Sequence, residues 1–197
     1  MDEAQLVTQA QAGSQEAFCE LVERYQAKAM SIAVGLLGNV EEAKDASQEA
    51  FVKAYRALPQ FRAQAQFTTW LYRIVVNECQ TVLRARSRVR RWLFFPTRDT
   101  EDAAGETVPV LEFVPSAEPS SRDVASGAEV ARQLEGAIAR LSHRQRTVVT
   151  LHYLQEMRVE EVAAVIGCAP GTVKAQLARA LRHLRAHLNG VLEGGSP

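Results

Sequence analysis

The sequence predicts an all-α protein: two small helical domains joined by a long, flexible, acidic linker, the C-terminal one containing a helix-turn-helix. Apolar residues recur at spacings of three and four over residues 3–86 and again over 129–190, the period of an amphipathic helix. Between them, residues 93–128 hold Pro96, Pro109, Pro115 and Pro119 among Gly, Ser, Thr and acids, a composition that supports neither helix nor core. No segment reads convincingly as a strand. A chain of 197 residues, 47% apolar, suffices for two small cores. The boundaries expected are 1–92, 93–128 and 129–190.

In chain order, Ser14 is placed to cap a helix whose apolar set is Phe18, Leu21, Val22, Tyr25, Ala29, Ile32, Ala33 and Leu36, closed by Gly38. Asn39, with Glu42 three residues on, forms a capping-box signal for the next helix. That helix should run to about Leu58 and stop at Pro59, which cannot continue it. A polar loop from Gln60 to Gln66 follows. Phe67 then opens a helix with Trp70, Leu71, Ile74, Val75, Cys79 and Leu83 on its apolar side.

In the C-terminal part, Leu134, Ile138 and Leu141 share a face, and Ser142 with Gln145 forms a second capping box ahead of Val148, Val149 and Tyr153. Val159, Val162, Ala163 and Ile166 make one buried stripe. Gly167 suits a left-handed helix end, and Pro170 the first turn of the next helix. Val173, Leu177, Leu181 and Leu184 continue the apolar pattern, with Thr172, Lys174, Gln176, Arg179, Arg182 and His183 facing outward. A helix pair with a Gly-x-x-Pro turn and a basic outer face is the form of a DNA-reading unit.

Charge is balanced overall, 23 basic against 23 acidic residues, but unevenly placed. Arg88, Arg90, Arg91 and Arg98 stand with no acid among them, whereas residues 99–130 hold eight acids and one Arg122. An acidic middle thus masks flanking regions able to present positive patches. Cys19, Cys79 and Cys168 are widely spaced and odd in number, which fits small core residues in a reducing cytoplasm and neither a disulfide framework nor a zinc site. No basic run precedes an apolar stretch, and no segment is apolar enough to span a membrane; a soluble, cytoplasmic protein is expected. The histidines are scattered, and no metal spacing, phosphate loop or nucleophile grouping is present. No cofactor and no enzymatic activity are expected.

Three segments resemble the extracytoplasmic-function sigma factors, in that family's order and at its separations. Asp45-Ala46-Ser47-Gln48-Glu49-Ala50-Phe51-Val52-Lys53-Ala54-Tyr55 resembles their polymerase-binding helix. Phe67-Thr68-Thr69-Trp70-Leu71-Tyr72-Arg73-Ile74-Val75-Val76-Asn77 resembles their −10 helix. Glu160-Glu161-Val162-Ala163 through Gly171-Thr172-Val173-Lys174 resembles their C-terminal domain. The resemblance implies a sigma factor that binds RNA polymerase core and promoter DNA, without cofactor. It implies core binding through Asp45, Gln48, Glu49 and Lys53, on a polar side left free if Phe51, Val52 and Tyr55 supply the apolar contacts. It implies −10 contacts from Phe61, Phe67, Arg73, Asn77 and Arg84, since aromatics that stack and arginines that follow phosphates suit single-stranded DNA. It implies −35 contacts from Thr172, Lys174, Gln176 and Arg179. It also implies control by an anti-sigma factor, with the linker letting the domains rearrange between a closed and a polymerase-bound arrangement.

The chain departs from the family at two places. Arg158 stands where Ser or Thr usually caps the first helix of the DNA-binding pair, a loss of about 1 kcal/mol. Ala175-Gln176 stands where Ser-Arg is common, leaving the −35 sequence open but not the −35 role. The alternative reading, a stand-alone helix-turn-helix regulator, leaves the first 86 residues without a purpose. The acidic linker itself, with apolar anchors at Val108-Pro109-Val110-Leu111 and Phe113-Val114-Pro115, is expected either to enter the polymerase channel or to act as a solubilising tether.

Overall fold

The computed structural model describes residues 1–62, 65–94, 133–134 and 136–193, with side chains described up to residue 88 in the first stretch of long helix and up to 188 in the last. The rest of the linker, its apolar clusters included, lies outside the described residues. The N-terminal domain has four helices: α1 (Glu3–Gln11), α2 (Gln15–Leu37), α3 (Val40–Ala57) and α4 (Phe67–Phe94), with a 3-10 turn at Leu58–Gln60. The described part of the C-terminal domain opens with helical residues 133–134 and 136–139. It continues through α5 (His143–Val149), a π turn at Thr150–Leu154, α6 (Val159–Ile166) and α7 (Pro170–Glu193). Among the described residues there is no strand.

The caps form as their residue types dictate. The Ser14 hydroxyl accepts from the Ala17 N–H at 3.2 Å, and Gly38 ends α2 with φ 65°. Asn39 Oδ1 accepts from the Glu42 N–H at 2.9 Å. Glu42 does not return the bond; its carboxylate pairs with Arg86 of α4 instead. Ser142 and Gln145 exchange both bonds of the capping box. Arg158 cannot accept, but its N–H donates to Glu161 Oε2 at 2.7 Å, supplying the other half of a capping box.

α4 extends to Phe94 rather than stopping near residue 86. Nothing between them breaks a helix, and the first obstacle is Pro96, which disfavours helical geometry at the residue before it. The π turn has no counterpart in the sequence reading, because a one-residue widening leaves no compositional mark. Within it, Tyr153 and Leu154 are about half exposed, and Leu134 is 40% exposed, so neither Tyr153 nor Leu134 joins the core as expected.

α3 packs in an unexpected way. Its buried residues are Ala43, Ala46, Ser47, Ala50 and Ala54. Val52 and Tyr55, expected to face inward, are each 41% exposed. Small side chains let α3 approach α2 and α4 closely, and the bulkier apolar residues are left on the outer side. Cys79 is buried and Cys168 partly buried, but Cys19 is exposed, against expectation.

The two domains are in contact. α6 lies against α4, and the π turn and α5 lie against α2. Of the two arrangements expected of the linked domains, the structure holds the closed one.

Candidate functional site

On α3, Asp45, Gln48, Glu49 and Lys53 are all exposed. At about 100° per residue they spread over one side, opposite the alanine floor. Val52 lies in the middle of that patch, so the face is polar with an apolar centre. Tyr55 borders it, its ring meeting Phe18 edge-on at 4.9 Å. Lys53 is not a free charge: it reaches Glu78 of α4 at 2.7 Å and Glu49 at 3.9 Å. The first of these pairs ties α3 to α4.

Arg73, Asn77, Gln80 and Arg84 recur on α4 at spacings of four, three and four, which lines them along one helix face. Arg73, Asn77 and Arg84 are exposed. Arg84 donates to Gln80 Oε1 at 3.2 Å. The Asn77 backbone carbonyl accepts from the Thr81 hydroxyl at 3.0 Å. At the N-terminal end of the line, Arg73 donates from Nε to the Val165 carbonyl at 3.3 Å and from Nη2 to the Ala164 carbonyl, both on α6.

The aromatic loop ahead of α4 is built from inside. Gln11 of α1 donates to the carbonyls of Phe61 at 2.7 Å and Leu58 at 3.1 Å, fixing the backbone where the chain turns. The Phe61 ring lies 5.0 Å from Trp70 and 6.1 Å from Phe67. Phe61 and Trp70 are partly exposed, whereas Phe67 is buried against Tyr25 and Trp70. The expectation for Phe67 needs correcting: its ring offers no face for stacking and can act only by seating Phe61. Tyr25 in turn donates to the Glu3 carboxylate, and burial, with Glu3 adding to it, pushes its phenol well above the ordinary range.

On α7, Thr172, Lys174 and Arg179 are exposed and Gln176 partly so. Thr172, Gln176 and Arg179 fall within about 60° of one another, but Lys174 lies about 200° around the helix from Thr172. The four do not form a single face. They flank the buried stripe of Val173, Leu177, Ala180 and Leu184 on both sides. A helix lying in a groove meets one wall with each flank, so this split suits contact with both strands.

Three further groups stand near these surfaces. Arg86 donates to Glu42 and to the Leu37 carbonyl at 3.2 Å, and burial draws its guanidinium below the ordinary arginine range. Arg146 is more buried and donates only to backbone carbonyls among the described residues. His143 is largely buried, and neither ring nitrogen finds a hydrogen-bond partner among the described residues. Burial, then Arg146, Arg84 and Arg144, hold its pKa below the usual 6.5. Local spacing gives no signal for the ties of Arg86 to Glu42 and Leu37 or of Arg146 to Leu36, which join distant parts of the chain, nor for the burial of His143. Among the described residues no cluster of His, Cys, Asp or Glu is placed to hold a metal, and no helix is long and apolar enough to cross a membrane.

The comparisons with known proteins fall on these two modules. Residues 21–89 match sigma-70 region 2 and residues 131–184 match sigma-70 region 4. These are the two modules of a sigma-type transcription initiation factor. The chain is 36% identical to the RNA polymerase sigma-H factor of Pseudomonas aeruginosa, over 89% of its own length and 88% of that protein. It is 31% identical to the ECF RNA polymerase sigma factor SigW of Bacillus subtilis over 92% of its length and 94% of that protein. With the ECF RNA polymerase sigma-E factor of Escherichia coli it shares 34% identity over 89% and 88%. Its fold is similar to CnrH solved in complex with the cytosolic domain of CnrY, at 26% identity and TM-score 0.61, covering 97% of each chain. The chain belongs to the extracytoplasmic-function branch of the sigma-70 family of RNA polymerase sigma factors and is a promoter-directing factor.

Proposed function

We propose that the exposed side of α3 binds RNA polymerase core through Asp45, Gln48, Glu49 and Lys53, with Val52 as an apolar contact at its centre. The α4 stripe of Arg73, Asn77 and Arg84, with Phe61 at the adjoining loop, reads the melted −10 element. Phe67 seats that loop. Thr172, Gln176 and Arg179 on one flank of α7 and Lys174 on the other engage the −35 element. The protein works by binding, not catalysis, in the cytoplasm, with domains over 1–92 and 129–190 and a linker over 93–128. An anti-sigma protein is its natural inhibitor, as the family resemblance implies.

The observation that carries this reading is the division of labour on the N-terminal domain. One helix turns an acidic-polar face with an apolar centre outward, and the next turns an Arg-Asn-Arg line outward. A protein surface and a nucleic acid are the partners those two faces suit. Reversing Glu49 to Lys tests the first half. An exposed i,i+4 pair is worth only about 0.3–0.5 kcal/mol, and Lys53 keeps Glu78, so helicity by circular dichroism should not change. Pull-down of purified core should be abolished. Unimpaired core binding by a folded Glu49→Lys protein refutes the assignment.

A further inference from the structure

We propose that the two domains hold each other closed through a clasp built on the C-terminal end of α2, and that the closed chain occupies the guanidinium at one end of its own −10 stripe by engaging Arg73. The second half of this inference rests on the reading of α4 given above; the first half does not.

The last carbonyls of an α-helix have no partner within the helix. In α2, the Gly38 N–H satisfies the Val34 carbonyl. The Leu37 carbonyl accepts from Arg86 of the same domain. The Leu36 carbonyl accepts from Arg146 Nη1 at 3.2 Å, and Arg146 belongs to the other domain. In α6, the N–H groups of Gly167 and Cys168 both turn back to the Ala163 carbonyl. The next two carbonyls, Ala164 and Val165, accept from Arg73 of the N-terminal domain. Each domain therefore lends a guanidinium to the negative end of a helix in the other, where a cation is favoured.

Between these caps, one face of α2 is shaped for the contact. Lys28, Ser31 and Gly35 follow one another at three and four residues. Lys28 Nζ donates to the Gln155 carbonyl at 3.0 Å, and Gln155 Nε2 donates to the Ser31 hydroxyl at 2.7 Å. A Cβ at Gly35 would lie 2.6 Å from Thr150 Cγ2 and 3.2 Å from its Oγ1. Thr150 is fully buried, and its branched side chain has few rotamers in which to retreat. Gly35 has ordinary helical geometry, so no turn calls for glycine there. Within a helix glycine costs about 1 kcal/mol relative to alanine. The three nearest atoms that a Cβ there would meet all belong to Thr150 of the other domain. The closed arrangement thus accounts for a glycine at this position.

The clasp makes a test that separates opening from unfolding. Gly35→Ala favours the α2 helix but collides with Thr150. Thr150→Ala removes Cγ2 and Oγ1 and leaves its Cβ at 3.5 Å, an ordinary contact. Small-angle scattering of the full chain should show Gly35→Ala expanded relative to wild type. Gly35→Ala/Thr150→Ala should return to the compact profile, which no general loss of stability would produce. A fluorescein-labelled A/T-rich single strand should bind Gly35→Ala about tenfold more tightly than wild type, if the open fraction rises from roughly a tenth to nearly all. Superimposable wild-type and Gly35→Ala profiles overturn the clasp. An expanded Gly35→Ala chain of unchanged affinity overturns the capture of Arg73 as a restraint on DNA binding. Adding Asn77→Ala to the opened chain then decides the cause: loss of binding keeps the stripe as the DNA site, and no loss refutes the −10 reading itself.

Discussion

Replacing Asn77 by Ala separates recognition from stability at one position of the α4 stripe. The Asn77 side chain is exposed, and among the described residues the one bond at this residue outside the helix ladder is to its backbone carbonyl, from Thr81. Surface changes away from caps and networks stay within about 0.5 kcal/mol, so the melting curve should be unaltered. A direct contact to a base edge is worth roughly 1–3 kcal/mol of discrimination, which is about a 5- to 150-fold change in preference. The predicted outcome is a loss confined to one −10 base pair, with other positions ranked as before. Run-off transcription with purified core across a panel of single −10 substitutions measures it. Equal loss on every −10 variant, with an unchanged melt, shows that Asn77 does not read a base and refutes the reasoning. A shifted melt shows instead that the residue supports the helix.

Lys174→Ala should weaken −35 duplex binding about equally across sequences and reduce the salt slope by roughly 1, as loss of one phosphate contact requires; an altered sequence preference would contradict this. His143 gives a pH prediction. Its ring is held below the 6.5 at which it titrates when unfolded, so within that window the unfolded chain binds a proton that the folded chain does not. Stability is complete above about pH 6.5 and falls as the pH drops through the window. Thermal melts of His143→Leu should therefore lose less stability than wild type between about pH 7.5 and 5.5; parallel losses would show that His143 titrates normally.

Much of this fold is legible in local chemistry. Ser14, Asn39 and Ser142 cap where short polar side chains should, Gly38 and Gly167 end helices with positive φ, and Pro170 opens α7. Spacing finds Val162, Ala163, Val173, Leu177 and Leu184 of the buried helix-turn-helix stripe, but Val165 and Ala180 are fully buried where Val159, Ile166 and Leu181 are only partly so. The misreadings have a common origin in packing depth. Hydrophobic scale ranks Val52 and Tyr55 above the alanines of α3, yet proximity to α2 and α4 puts the alanines inside. Phe67 has the residue type of a stacking aromatic, and only the neighbouring rings decide that it is covered. Lys174 sits two residues from Thr172 in sequence and on the far flank in space. Arg73, Arg86 and Arg146 each find a helix end through tertiary contact, which no periodicity records.

The alanine floor of α3 also shapes how this protein can change over time. Substitutions at Ala43, Ala46, Ala50 or Ala54 would force the helix away from its neighbours, because overpacking a close contact costs about 1–3 kcal/mol. Those on the other side, at Asp45, Gln48, Glu49 or Val52, alter what the helix shows without moving its axis. The backbone is thereby pinned by residues too small to vary, while the outward face is left open to selection by whatever docks on it. A lineage can retune its grip on a partner step by step and keep the same scaffold throughout.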